Sequence, residues 1–302
     1  MGENKRLAGI ELGGTKIVMV LGEGTRIVER ERIPTTTPQQ SFAAVNEVLR
    51  EWEAAAPLAA IGIASFGPIR VDPRAADYGT ILETPKPGWA FAPVLGSIER
   101  RADCPVAVDT DVNGAALAEY ALGAAQGCAN SIYLTIGTGI GGGVLVDGVP
   151  VHGAMHPEIG HLRLRRQPGD AFAGVCRFHG DCLEGLVSGP ALEARLPRHP
   201  GEMTPDDPAW EPVAADLAEL LAQLVLSLSP ARILVGGGVT MRQPHLLAMA
   251  RARLPALLGG YLPEVDEARI ADMVRLPALG DDAGPTGALV LASMALERAR
   301  AA

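Results

Sequence analysis

Short apolar runs separated by glycine turns open the chain. Residues 7–13 (LAGIELG) read as a buried strand and GGTK as a turn. Residues 17–21 read as a returning strand and, after a second turn at Gly22–Gly24, residues 27–33 as a third. Residues 41–55 carry Phe42, Val45, Val48, Leu49 and Trp52 at helical spacing. A strand is expected at 61–64, a helix at 93–101, a strand at 106–108 and a helix at 115–122. The pattern then starts again, with strand 131–136, the turn GTGIGGG and a returning strand at 144–146 closed by Asp147-Gly148. After an irregular stretch at 150–183, helices are expected at 189–196, 211–228, 244–254 and 284–299. Strands are expected at 233–235 and 273–276, with Gly236-Gly-Gly-Val239 as a turn. The recurrence of strand, Gly/Thr turn and strand predicts two α/β halves of related topology, their glycine turns facing one cleft.

Composition narrows the class. With 302 residues, 48% hydrophobic and 20% charged, the chain reads as soluble and globular, with one large or two modest domains. Its 36 glycines lack the Gly-X-Y period of collagen, so they imply turns and close backbone approaches. A net charge of −9 argues against nucleic acid as a main partner. A phosphorylated ligand remains compatible if backbone N–H groups supply the local positive potential. The most apolar stretch, 217–229, contains Glu219 and Gln223 and is shorter than the roughly 20 residues of a membrane span. It therefore reads as a buried helix. The first residues lack the apolar core of a signal peptide, and the expectation is a cytoplasmic protein with no membrane partner. Cys104, Cys128, Cys176 and Cys182 do not form a disulfide-framework pattern.

Four motifs carry chemistry. Glu11-Leu-Gly-Gly-Thr-Lys16 joins a glycine turn, which lets backbone approach a ligand, to a hydroxyl, a cation and a carboxylate suited to Mg²⁺. An ordinary hairpin is the alternative. Gly137, Gly139 and Gly142 match G-x-G-x-x-G, but a strand rather than a helix is expected to follow, so the dinucleotide-binding reading fails and a phosphate-gripping hairpin remains. Asp109-Thr-Asp-Val-Asn113 lies between a strand and a helix, where polar residues act as caps. Two carboxylates and an amide there exceed what capping needs, and an Asp at that edge suits a general base. Cys176-x-x-His179-x-x-Cys182 with an upstream histidine (His152, His156 or His161) suits a closed tetrahedral Zn²⁺ site in a segment with little core of its own.

Together these phrases, with ASFGPI, TPKPGW (Thr84–Trp89), HPEIGH (His156–His161), CLEGLVSGP and ILVGGGV, resemble the ROK family of sugar kinases over about residues 7–292, most closely its fructokinase branch. The resemblance implies an α/β, actin-like (ribonuclease-H-like) ATPase fold of two α/β domains with a cleft between them. One domain would be 1–112 plus 286–302, and the other 113–285, carrying the zinc segment. It implies ATP-dependent phosphorylation of fructose at the 6-hydroxyl with Asp111 as general base. ATP would meet Gly13, Gly14, Thr15, Lys16, Gly137, Thr138, Gly139, Pro190, Gly237 and Gly238. The sugar would meet Gly67, Thr110, Asp111, Glu158, His161 and Glu184. It implies Mg²⁺ and a structural Zn²⁺ held by His161, Cys176, His179 and Cys182, which favours His161 over His152 and His156. A homodimer is also implied. Two departures from the broad family, Thr110 where many members have Asn and His179 where many have Cys, are features of the fructokinase branch; a mannokinase or glucokinase is the alternative. The first phosphate motif starts at Glu11, so no DNA-binding segment of the kind found in repressor relatives is expected before it. Asp111 argues against a non-catalytic sugar sensor. Gly13, Gly14, Gly137, Gly139, Gly141–Gly143 and Gly236–Gly238 are expected at strand ends facing ATP.

Overall fold

A computed structural model describing residues 5–98 and 104–301 pairs the first three apolar runs as an antiparallel meander, β1 (Arg6–Leu12), β2 (Lys16–Glu23) and β3 (Arg26–Pro34). β4 (Ala60–Ser65) and β5 (Val106–Thr110) extend the sheet in parallel with β1, in the order β3-β2-β1-β4-β5. Alternation decides which side chains meet. Ala8, Ile10 and Leu12 of β1, Ile17, Met19 and Leu21 of β2, and Ile61 and Ile63 of β4 share one core with Phe42, Val45, Leu49 and Trp52 of α1 (Pro38–Ala55) and with Trp89. Thr37 caps α1 by accepting a hydrogen bond from the Gln40 N–H at 3.4 Å, and Pro38 sits where its missing N–H costs nothing. β3 is an outer strand. Its Arg26, Glu29, Arg30, Glu31 and Arg32 keep that edge polar.

The opposite face of this sheet meets backbone rather than large side chains. α2 (Asp111–Leu122) and the C-terminal α9 (Ala283–Ala301) pack there. A Cβ on Gly62 would lie 1.9 Å from the Ala288 carbonyl oxygen, and one on Gly287 would lie 2.1 Å from that of Gly114. Only hydrogen at these positions lets α9 seat directly on β4 and α2. The first compact unit therefore comprises Met1–Gln126, Pro150–His156 and Leu279–Ala302 and keeps all of α2, where the sequence expectation had the boundary at 112.

The second unit comprises Gly127–Val149 and Pro157–Ala278. Its sheet has the order β10-β9-β6-β7-β8, built from β6 (Asn130–Ile136), β7 (Ile140–Val146), β8 (Val149–Pro150), β9 (Arg232–Gly236) and β10 (Val274–Arg275). Read from β8, the order repeats the first sheet: a central strand antiparallel to its successor and parallel to a later strand. The helices are α3 (Leu183–Val187), α4 (Gly189–Arg195), α5 (Glu211–Leu228), α6 (Gly237–Arg242), α7 (His245–Leu258) and α8 (Glu267–Met273). No helix among the described residues is long and apolar enough to cross a membrane. The segment before α3 is bound by charge. Arg195 of α4, whose side chain is 6% exposed, reaches Asp216 of α5 at 2.7 Å and Asp170 at 2.5 Å, and Arg166 reaches Asp170 at 2.7 Å.

Several elements differ from the pattern-based expectation. Only residues 137–139 turn between β6 and β7. Gly141–Gly143 belong to the strand, where a Cβ on Gly142 would lie 2.6 Å from the Ile159 side chain, so Gly142 admits a packed single-turn helix (Ile159–His161). The turn expected at 236–239 is instead the end of β9 and the start of α6. Gly236 faces the Tyr133 hydroxyl, 2.9 Å from where its Cβ would lie. α2 begins at Asp111 rather than 115, because Thr110 caps it. Of the helix expected at 93–101, Leu95–Ser97 form one 3₁₀ turn, and 99–101 lie outside the described residues.

Gly62→Ala should lower the thermal midpoint by several degrees, because a buried methyl would overlap a helix carbonyl at a cost of about 3 kcal/mol. Gly96→Ala, whose Cβ would lie 3.5 Å from its nearest neighbour, Pro93, should leave it unchanged. Thermal melts of both variants check this.

Candidate functional site

In the first unit β1, β4 and β5 run parallel, so their C-terminal ends lie at one edge of the sheet. That edge gathers the Gly13–Lys16 turn, Gly67, Thr110 and Asp111, the side of an open α/β sheet where ligands bind. The turn is narrow. The Gly13 N–H donates to the Lys16 carbonyl at 3.0 Å, and a Cβ on Gly13 would lie 2.8 Å from the same oxygen. Thr35 clamps it from β3's far end: its hydroxyl donates to the Gly13 carbonyl at 2.8 Å and its N–H to the Thr15 carbonyl at 3.0 Å.

Asp111 is the first residue of α2, with Thr110 as cap accepting from the Asn113 N–H at 3.1 Å. The Asp111 carboxylate accepts from the Val112 N–H at 2.9 Å. Burial raises its pKa to about 6, against the lowering effect of that backbone bond. Glu11, at the end of β1, is raised to about 7, first by burial and then by the negative charge of Asp111, with Lys16 and Arg30 opposing. Two carboxylates of raised pKa at a strand-end edge mark a place built for proton transfer or cation binding. Gly67 precedes a cis peptide to Pro68, and a Cβ on it would lie 3.4 Å from the His156 ring.

The second unit repeats the arrangement. β6 and β9 run parallel, so the 137–139 turn and the start of α6 share an edge. The Gly137 N–H donates to the Gly139 carbonyl at 2.9 Å, and the Gly189 N–H donates to the Gly137 carbonyl at 2.8 Å, which brings Pro190, at the first turn of α4, beside the turn that holds Thr138. Gly237 has φ +86°, and a Cβ there would lie 2.4 Å from the Ile136 nitrogen; Gly238 continues α6. Glu184 of α3 accepts from the Ile140 N–H at 3.0 Å, so its carboxylate braces the same turn. Glu158 precedes the Ile159–His161 turn, whose His161 N–H donates to the Glu158 carbonyl at 3.0 Å.

His161, Cys176, His179 and Cys182 converge, with one ligand atom of each within 4.8 Å of all the others. The Cys176 sulfur lies 3.8 Å from Nδ1 of both His161 and His179, and the Cys182 sulfur lies 3.6 Å from Nδ1 of His161. Metal–ligand bonds of about 2.0–2.3 Å at tetrahedral angles place neighbouring ligand atoms about 3.3–3.8 Å apart, so the set fits Zn²⁺ in size and donor type. Reciprocal backbone bonds between Cys176 and Gly180, at 3.1 and 2.8 Å, form the hairpin that presents Cys176 and His179 together.

The two other upstream candidates, His152 and His156, belong to the first unit and are engaged there. The His156 imidazole accepts from the Ile69 N–H at 3.3 Å. His152 Nε2 lies 3.1 Å from Asp109, whose carboxylate also accepts from the Asn113 amide at 2.7 Å and holds the imidazole pKa above its ordinary value. The Asn113 amide oxygen is buried without a partner among the described residues. Sequence reasoning missed this Asp109–Asn113–His152 group. The excess of polar residues in the DTDVN phrase was its only signal, since His152 is 43 residues away from Asp109.

The ROK family model matches residues 7–295. A fructokinase of Zymomonas mobilis is 42% identical over 299 residues, 97% of this chain and 98% of that protein. A ROK hexokinase structure from Thermus thermophilus superposes with a TM-score of 0.77 at 31% identity, covering 97% of this chain and 99% of that one. A ROK family glucokinase from Streptomyces griseus, solved with glucose and AMPPNP, gives 0.72 at 27% identity, covering 96% and 99%. Ordered motifs, a twice-used sheet topology with its turns at the strand ends, and similarity along nearly the whole length agree: the chain belongs to the ROK family, with its actin-like α/β fold.

Proposed function

We propose that the protein is an ATP-dependent fructokinase that transfers the γ-phosphoryl group of ATP to the 6-hydroxyl of D-fructose. The observation that carries the reading is the desolvated Asp111 carboxylate at the strand edge that also bears the Gly13–Lys16 turn. Asp111 accepts the proton of the 6-hydroxyl as that oxygen bonds to the γ-phosphorus and the bond to the departing ADP oxygen breaks. Gly13, Gly14, Thr15, Lys16, Gly137, Thr138, Gly139 and Pro190 are the residues assigned to the phosphates. Gly237 and Gly238 lie along the adenosine. Glu11 is the carboxylate that would hold the water shell of a Mg²⁺ ion, which would neutralise phosphate charge. Gly67, Thr110, Glu158, His161 and Glu184 orient the sugar; His161 Nδ1 faces the two sulfurs, leaving Nε2 for a hydroxyl.

The 42% identity to the Zymomonas mobilis fructokinase supports fructose over other hexoses. The second reading, a mannose- or glucose-directed hexokinase, draws on the 31% identity to the Thermus thermophilus ROK hexokinase. His161, Cys176, His179 and Cys182 hold one structural Zn²⁺, which orders a segment with little apolar core. The family resemblance adds a cytoplasmic, homodimeric enzyme.

Phosphorylation assays on fructose, mannose, glucose and N-acetylmannosamine should give the highest kcat/KM for fructose. A tenfold preference for glucose or mannose, about 1.4 kcal/mol, replaces fructokinase by the second reading. Asp111→Asn should lower kcat by roughly 10²–10⁴ with sugar binding retained. Because the base works ionised and its pKa is raised to about 6, the wild-type rate should fall with decreasing pH below about 6. Turnover unchanged in Asp111→Asn would remove the assignment. Metal analysis should find one zinc per chain, and Cys176→Ser should lose zinc and thermal stability together while Asp111→Asn keeps both.

A further inference from the structure

The TPKPGW loop has no part in the proposed function as described so far, yet it reaches the first phosphate turn. Lys86 Nζ lies 2.5 Å from the Gly14 carbonyl oxygen, across 72 residues of sequence. The loop is anchored for this contact. Trp89 is fully buried, its indole N–H donates to the Thr36 carbonyl at 2.8 Å, and its ring meets Phe42 and Phe66 edge-on at 5.5 and 5.3 Å. The Trp89 N–H closes the loop on the Lys86 carbonyl at 3.2 Å, and the ammonium lies 5.8 Å from the indole ring centre. Pro85 and Pro87 flank Lys86 and restrict the backbone on both sides of it, so little chain freedom is lost in holding the ammonium at the turn.

The consequence lies in the peptide planes. In a trans peptide the C=O and the following N–H point in opposite directions. Thr35 holds the Gly13 carbonyl, so the Gly14 N–H points away from Thr35, and Lys86 holds the Gly14 carbonyl, so the Thr15 N–H points away from Lys86. Neither N–H has an intramolecular partner among the described residues. A Cβ on Gly14 would meet nothing within 4 Å, so open space lies beside it. Two adjacent free N–H groups, with a fixed ammonium one peptide plane behind them, make an anion-binding concavity.

We propose that Lys86 is a positioning residue for nucleotide phosphate: it locks the Gly13–Lys16 turn with its N–H groups outward and lends its charge to the anion they bind. This rests on the ATP-dependent reading above, and the test separates the two. Calorimetric titrations compare wild type, Lys86→Met and Lys86→Gln with a non-hydrolysable ATP analogue and with AMP, alongside thermal melts and steady-state kinetics. Lys86→Met should weaken analogue binding tenfold or more, with AMP affinity and the KM for fructose within twofold and the melting midpoint within about 2 °C. Lys86→Gln, which keeps a donor without the charge, should fall between. Analogue affinity unchanged in both variants, or lost equally for analogue and AMP, overturns the proposal. Should Lys86→Met fail to fold, Lys86→Gln alone decides by the same ratio. A wild type that binds the analogue but phosphorylates no hexose removes the fructokinase reading and leaves this ratio measurable; a wild type that binds no analogue overturns both.

Discussion

The first unit depends on one steric constraint, the backbone contact of α9 with β4 and α2. Gly62 against the Ala288 carbonyl, and Gly287 against that of Gly114, bring the last helix of the chain onto the sheet that begins it. The same seating puts Gly284 over Glu11, whose Oε1 would lie 2.0 Å from a Cβ at that position. Removing water from Glu11 is therefore in part a result of a small residue rather than of a bulky one. Desolvation is in turn what raises both carboxyl groups. A larger residue at Gly62 or Gly287 would disturb the packing, and one at Gly284 would displace the Glu11 carboxylate as well.

Main-chain groups line both glycine turns of a chain with net charge −9. In both units a glycine turn follows the central strand and a parallel neighbour ends at the same sheet edge. In both, the turn is braced from outside its own hairpin: by Thr35 and Lys86 in the first, by Gly189 and Glu184 in the second. The repeated topology explains why similar sequence patterns recur at residues 11–16 and 135–139, where identity between the halves is otherwise weak.

Features fixed by local pattern were legible in the sequence. The two strand–turn–strand units, the helix over 211–228 and the Cys-x-x-His-x-x-Cys spacing all rest on near neighbours. What escaped was set by contacts distant in sequence. Gly141–Gly143 look like a loop until β7 runs through them and Ile159 packs on Gly142, and Gly237 looks like a turn until its φ of +86° shows how a helix starts against Ile136. Thr110 and Asp111, expected between a strand and a helix, are the last residue of β5 and the first of α2, and the pairing of Asp109 with His152 has no local signature. Nor has the reach of Lys86 to Gly14, because periodicity reports which face a residue takes and not which distant loop comes to it.

The Arg166–Asp170–Arg195–Asp216 cluster gives the cysteine-bearing segment a particular tolerance. Ion pairs on an open surface fade as salt is added, within a Debye length of about 8 Å at physiological ionic strength. Arg195 and Asp216 are buried and shielded from mobile ions, whereas Arg74 with Asp72 and Arg26 with Glu23 are not. In concentrated electrolyte the peripheral pairs would loosen first, and the stretch between Arg166 and Arg195 would be among the last parts of the surface to notice the change.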